Sequence, residues 1–244
     1  MMLFLYPAKE AFMKKIGLIG GTGPESTIMY YRELEYGVQK QLQKPVFPPM
    51  VIESLSVFQV LEYCAEQDYE GLTRYLLQGI CNLAAAGAEY GAFTGITPHV
   101  VFDDVAAKSP IPLVSMVETT CDEAEKSQYK RVGLLGTLPT MEGDFFQRSF
   151  ARRGISTFTP NQDEKLYIAD KIKTELEYGQ VVPATQKRMV EIAEGMITEH
   201  HLDAIVLGCT ELPLIFDQVT LPVPALDVMR LHIRALIRLI LREE

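Results

Sequence analysis

One of the four cysteines of this 244-residue chain has a setting that suits acid–base or nucleophilic chemistry. Cys209 follows Gly208 at the end of an apolar run, AIVLG, and Thr210 and Glu211 follow it. A thiol at a strand end, just before a helix start, feels the positive end of the helix dipole, which favours the thiolate. Cys64 and Cys81 fall on helical patterns and are expected as packed core residues. No CxxC occurs, and the four histidines do not cluster with the cysteines, so neither a disulfide framework nor a metal site is expected.

A glycine-rich turn, Gly20-Gly21-Thr22-Gly23, is the second centre of interest. A dinucleotide fingerprint would place glycine where Ser26 stands and an acidic residue nearer than Glu53. A phosphate-cradling loop would need Gly-Lys followed by Ser or Thr, which is missing. Backbone N–H groups at the start of the following helix still suit an anion, and a carboxylate serves as well as a phosphate.

The elements that hold these turns come in two copies. KKIGLIGG at residues 14–21 and KRVGLLGT at residues 130–137 are each a buried strand running into a turn and a helix. GAEYGAFTGITPH at residues 87–99 and LDAIVLGCTELP at residues 202–213 form a second matching pair, with Gly-Ile-Thr in one and Gly-Cys-Thr in the other. The offset from Gly17 to Gly95 is 78 positions and that from Gly133 to Cys209 is 76, so the repeat is long-range and in register. Each second segment leads to a Pro-flanked strand, IPLVSMVE at residues 111–118 and VPALDV at residues 223–228. Helical spacing marks residues 24–41, 57–64, 69–86, 118–127, 164–178, 183–201 and 229–241, with a further helix after residue 140.

Strands alternating with helices predict an α/β fold of two pseudo-symmetric lobes, each a parallel sheet flanked by helices. The first lobe is expected over residues 13–115 with 225–244, and the second over 116–224. Ligands bind beyond the carboxyl ends of such strands, so the four turns are expected to converge on a cleft between the lobes. Residues 1–12 read as a leader too short and too poor in basic residues for a secretory signal. Hydrophobic residues make up 48% and charged residues 23%, as in soluble globular proteins. A net charge of −9 without a basic run argues against nucleic acid, and no apolar run approaches a bilayer span. A cytoplasmic protein acting on a small molecule is expected.

KKIGLIGGTGPEST, GITPHVVFDD, GLLGT with Thr140, and AIVLGCTELP resemble the successive signature segments of the aspartate/glutamate racemase family, from Met13 nearly to the C-terminus. The resemblance implies an amino-acid racemase that uses neither PLP nor metal, hence no cofactor, with the substrate between two lobes. One cysteine from each lobe then faces one side of the α-carbon, and the second-lobe cysteine falls on Cys209. The first-lobe pattern Cys-Asn-Thr-x-His falls on Gly95-Ile96-Thr97-Pro98-His99, so the first acid/base position is occupied by Gly95. Thr94 is adjacent, but one step along a strand reverses a side chain. Glycine in the first lobe with one cysteine in the second resembles the arylmalonate decarboxylases of the wider superfamily.

By the same resemblance Thr22, Thr97, His99, Thr137, Thr140, Thr210, Glu211 and Lys165 are the candidate substrate contacts. Lys165 or Lys44 would meet a distal carboxylate. The leading expectation is an isomerase that racemises or epimerises an amino acid at the α-carbon, of the acidic type, with Cys209 as catalytic acid/base. The alternatives are a one-base decarboxylase or isomerase of a small dicarboxylic acid, or a binding homologue without turnover. A homodimer is a further expectation.

Overall fold

The computed structural model describes residues 13–242, so the leader expected at residues 1–12 lies outside the described residues. Among the described residues eight parallel strands form two sheets. The first has β1 (Ile16–Gly20), β2 (Met50–Ser54), β3 (Tyr90–Phe93) and β4 (Leu113–Val114), in the order β2-β1-β3-β4. The second has β5 (Arg131–Gly136), β6 (Ser156–Phe158), β7 (Ala204–Gly208) and β8 (Ala225–Asp227), in the order β6-β5-β7-β8. The two orders are the same once the second sheet is renumbered, so the sequence repeat is a repeat of topology. Residues 225–227, grouped above with the first lobe, hydrogen-bond to β7 in the second sheet.

Helices cover the sheets because the strands are apolar on both faces. β1, β5 and β7 are buried along almost their whole length, as parallel strands with helices on both sides must be. The helices of the first lobe are α1 (Pro24–Leu42), α2 (Val57–Glu66), α3 (Tyr69–Ala85) and α4 (Phe102–Lys108). Then come α5 (Met116–Lys126), α6 (Leu138–Glu142), α7 (Phe145–Ala151), α8 (Gln162–Thr174) and α9 (Pro183–His200). The short α10 (Pro213–Phe216) and the final α11 (Val228–Leu241) complete the chain. The repeated glycine of each opening strand has a packing cause. A Cβ on Gly17 would stand 2.9 Å from the Ala88 Cβ, and one on Gly133 would stand 2.7 Å from Leu202 and Ile205. Both strands need that room for the helix-to-strand connection that crosses them.

The lobes share one core. Ile16, Leu18, Tyr30 and Leu34 of the first half pack in a single buried cluster with Met116, Val132, Leu134, Val206 and the apolar side of α11. Within it the Tyr30 hydroxyl donates to His232 Nδ1 at 2.7 Å, and His232 Nε2–H donates to the Val114 carbonyl at 3.1 Å. That chain of two bonds ties α1, α11 and β4 together. α11, expected to return to the first lobe, packs on α1, on α5 and on β7 and β8, so it joins both.

Three expected elements differ. The strand expected over residues 111–118 is only Leu113–Val114, because Ser115 caps α5 by accepting the Glu118 N–H at 3.2 Å. Ser-x-x-Glu is a capping signal, and it ends the strand there. The helix expected over residues 164–178 starts earlier, at an Asn161 cap, and breaks at Glu175. A 3₁₀ turn, Leu176–Tyr178, follows and ends in left-handed Gly179. Cys81, expected in the core, is exposed: α3 buries Leu76, Gly79, Ile80 and Leu83, and Cys81 lies on its outer side. Cys64 is half-buried, and Cys121 is buried with its thiol pushed up to about 12 by that burial.

Candidate active site

Cys209 is the first residue beyond β7 and is 5% exposed. Its Sγ donates to Glu211 Oε2 at 2.9 Å, while the Thr210 hydroxyl donates to Glu211 Oε1 at 2.8 Å. One carboxylate thus holds both neighbours. Burial first, and then the charge and hydrogen bond of Glu211 and the charge of Glu177, raise the thiol well above its ordinary value. The dipole argument for a thiolate therefore fails here. The next helix starts only at Pro213 and is four residues long, and a carboxylate faces the sulfur instead. Cys209 rests as a neutral thiol, a proton donor.

Thr137 and Thr140 follow β5 on the neighbouring turn, and their hydroxyls bond each other at 3.0 Å. A Cβ on Gly208 would meet the Thr140 Cγ2 and the Leu135 carbonyl at 2.9 Å, so the turns after β5 and β7 pack directly on each other. Thr140 is buried and Thr137 partly open.

The first lobe repeats this plan with one change. Ile19 pairs with Phe93, so one step on Thr94 stands beside Gly20 as Gly208 stands beside Gly136. Gly95 and Cys209 are therefore the same position in the two sheets. Thr94 does not replace the missing thiol, since its hydroxyl is buried between Thr27 Oγ1 at 3.1 Å and the Ile19 carbonyl at 3.2 Å. What occupies the space is Thr22. A Cβ on Gly95 would lie 2.8 Å from Thr22 Oγ1 and 2.9 Å from the Thr22 carbonyl. That hydroxyl is itself buried and has no hydrogen-bond partner among the described residues. Gly21 and Gly23 hold the turn at φ 74° and 142°, and the Gly21 N–H donates to Thr27 Oγ1 at 3.0 Å. That N–H is therefore spent on the protein.

His99 is engaged on both ring nitrogens. Nε2 accepts the Met116 N–H at 3.1 Å, so the proton is on Nδ1, which donates to the Ile96 carbonyl at 3.2 Å. The ring is 3% exposed and stacks on Phe102 at 5.2 Å. It fixes the start of α5 to the turn after β3. Thr97 opens the 3₁₀ turn of residues 97–101 and is partly open, with no side-chain hydrogen bond among the described residues. Lys165, in the first turn of α8, and the exposed Lys44 make no side-chain hydrogen bond or ion pair among the described residues.

A cavity of about 590 Å³ lies between the lobes beside the Cys209 turn. Glu25, Ser26 and Met29 of α1 form one wall, and Thr210 and Glu211 form the other. Glu177 and Tyr178 of the 3₁₀ turn, Asp217 and Arg230 close its end. Lys165 and Lys44 do not line it. Glu25 and Glu177 were not among the sequence candidates, and no motif marks Glu177, which reaches the cavity only because α8 breaks at Glu175.

The buried histidines carry a measurable consequence. Desolvation lowers His99 to about 4 and His232 to about 3. A histidine depressed in the folded state contributes stability above its unfolded value near 6.5 and loses it as pH falls toward the folded value. At pH 5 each unfolded ring has taken a proton that the folded ring refuses, a difference of about 2 kcal/mol per residue. Urea midpoints should therefore drop sharply between pH 7.5 and pH 5. Ring carbon NMR should show both histidines still neutral at pH 5, and titration of either near 6.5 contradicts this account.

Two parallel sheets whose carboxyl ends carry paired turns, one with a buried thiol, define a two-lobed α/β fold with that thiol beside the cavity between the lobes. A sequence model of the Asp/Glu/Hydantoin racemase family matches residues 19–236. The chain belongs to that family, and with it to the isomerases. A broad specificity amino-acid racemase of Bacillus subtilis is 23% identical over 220 residues, covering 87% of this chain and 92% of the relative. The crystal structure of an aspartate racemase homologue from Pyrococcus horikoshii OT3 superposes with a TM-score of 0.83 at 34% identity, over 93% of this chain and 99% of the other. An aspartate racemase of Picrophilus torridus shares the fold at a TM-score of 0.68 and 22% identity, over 93% of this chain and 94% of its own. No helix among the described residues is long and apolar enough to cross a membrane.

Proposed function

We propose that this chain is a cofactor-independent amino-acid racemase or epimerase that exchanges the proton on the α-carbon, with Cys209 as its acid–base group. The observation that carries the reading is the buried Cys209 thiol, bonded to Glu211 at 2.9 Å beside the cavity between the lobes. Before Cys209 can take an α-proton, its own proton passes to Glu211, the acceptor already in contact. The thiolate then removes the α-proton, and the electron pair moves into the substrate carboxylate. The Thr97 hydroxyl, the one proton that the Thr137–Thr140 pair leaves free, and the turn backbone supply donors for that carboxylate, while Thr210 holds Glu211 in place. Once the Cys209 thiol has traded that proton for one from solvent, returning the new proton to the same face gives exchange without inversion. Inversion needs a donor on the opposite face, where Gly95 offers none and water must serve.

Exchange is therefore expected to outrun inversion. The test is a panel of both enantiomers of the common amino acids, with malonate- and maleate-type acids, incubated in D₂O and read by NMR and chiral chromatography. Loss of the α-proton signal with slower inversion supports the reading. Absence of exchange across the whole panel removes it, and release of CO₂ from a malonate would place Cys209 in a one-base decarboxylase instead.

A further inference from the structure

The cavity beside Cys209 carries an unbalanced charge. Glu25, Glu177, Glu211 and Asp217 line it against one cation, Arg230. That guanidinium is already spent: its Nη1 and Nη2 donate to the two oxygens of Asp217 at 2.8 and 2.6 Å, and its Nε lies 3.3 Å from Asp227 Oδ2. Glu211 is spent on Cys209 and Thr210. Glu25 and Glu177 remain, one from each lobe, and neither makes an ion pair or a side-chain hydrogen bond among the described residues. Lys173 lies near enough to Glu177 to be felt but makes no ion pair with it, and Glu177 is raised by burial and by the charge of Glu211.

A distal carboxylate on the substrate would enter this cavity facing two like charges and no free cation. A distal ammonium or guanidinium would instead face a carboxylate from each lobe, and at this exposed rim the attraction is of the kind that salt screens. We infer that this site selects amino acids with a cationic side chain, of the lysine and arginine class, through Glu25 and Glu177. The inference rests on the racemase reading for turnover, but its charge preference can be measured without it. It departs from the acidic substrate expected from the resemblance, since among the described residues no free lysine or arginine lines the cavity to hold a distal carboxylate.

The experiment compares D- and L-lysine, arginine, glutamine and glutamate on the full-length protein at low and at 0.5 M salt. Exchange of lysine or arginine should exceed that of glutamate at least ten-fold in kcat/KM, and the margin should shrink in high salt. Both carboxylates sit at the exposed rim, so Glu177→Gln and Glu25→Gln should fold normally. Each should lower kcat/KM for lysine at least five-fold more than for glutamine, chiefly through KM. Calorimetric binding of lysine and glutamate is measured in parallel. If no amino acid exchanges yet lysine binds more tightly than glutamate, the racemase reading fails and the charge preference stands. If glutamate is turned over or bound better, or if both variants leave the lysine-to-glutamine ratio unchanged, the inference is overturned.

Discussion

Cys209→Ala is expected to remove α-proton exchange, by ~10²–10⁴-fold or to the detection limit, in a protein that still folds. The size follows from what a positioned proton-transfer group supplies, and no second thiol stands by to replace it. Cys121 is buried in the shared core, Cys64 is half-buried against the α3 side, and Cys81 faces outward on α3. The fold should survive because the substitution removes only a sulfur from a strand-end turn whose backbone is set by Gly208 and the packing of Thr140. Glu211 Oε2 loses one donor, but the carboxylate keeps the Thr210 hydroxyl and borders the cavity. A stability loss of about 1 kcal/mol, read from urea unfolding, is the expected cost. Exchange rates of the variant and of Cys81→Ala, each on the best substrate, separate the thiols. Full activity in a pure Cys209→Ala preparation would remove the proposed role.

Much of this site was legible before the structure because the repeat could be read directly. The Gly-Leu-apolar-Gly openings at Gly17 and Gly133 and the matching Gly95 and Cys209 segments fixed two parallel sheets and paired their turns. The register pairs Ile19 with Phe93 and Gly136 with Gly208, which sets Gly95 at the Cys209 position, one residue off the match of Gly-Ile-Thr with Gly-Cys-Thr. Local signals failed where two meanings competed. The apolar run after Ile111 has strand propensity, yet Ser115 caps a helix inside it. A glycine-cysteine turn before a proline suggests a helix dipole behind the thiol, yet the helix is one turn long and the nearer charge is Glu211. Contacts between distant segments left no local trace at all. Nothing in residues 175–179 announces that a broken helix carries Glu177 to the cavity, and nothing in GGTG shows that Thr22 fills the space beside Gly95.

That space sets the last expectation, which concerns the empty first-lobe position. Gly95 has no left-handed backbone, since it is not among the glycines with positive φ, so a side chain there meets no torsional strain. The obstacle is one neighbour, with Thr22 Oγ1 2.8 Å, its carbonyl 2.9 Å and its Cβ 3.3 Å from where the new Cβ would stand. Gly95→Cys alone should thus crowd the turn, lose stability and gain little inversion. Thr22→Ala removes the nearest obstacle and breaks no hydrogen bond among the described residues, where that buried hydroxyl has no partner. The Thr22 carbonyl at 2.9 Å must still shift, a backbone movement that any side chain at residue 95 imposes alike. The double variant Thr22→Ala/Gly95→Cys is expected to invert substrate ~10²-fold faster than Thr22→Ala/Gly95→Ala, which carries the same crowding without a thiol. Exchange from the enantiomer that the natural protein handles poorly should rise with it, so that exchange and inversion come to match. Both quantities can be read in one D₂O time course with chiral separation. A double variant that folds, titrates one extra reactive thiol and inverts no faster than its alanine control would show that the Gly95 position does not face the α-carbon.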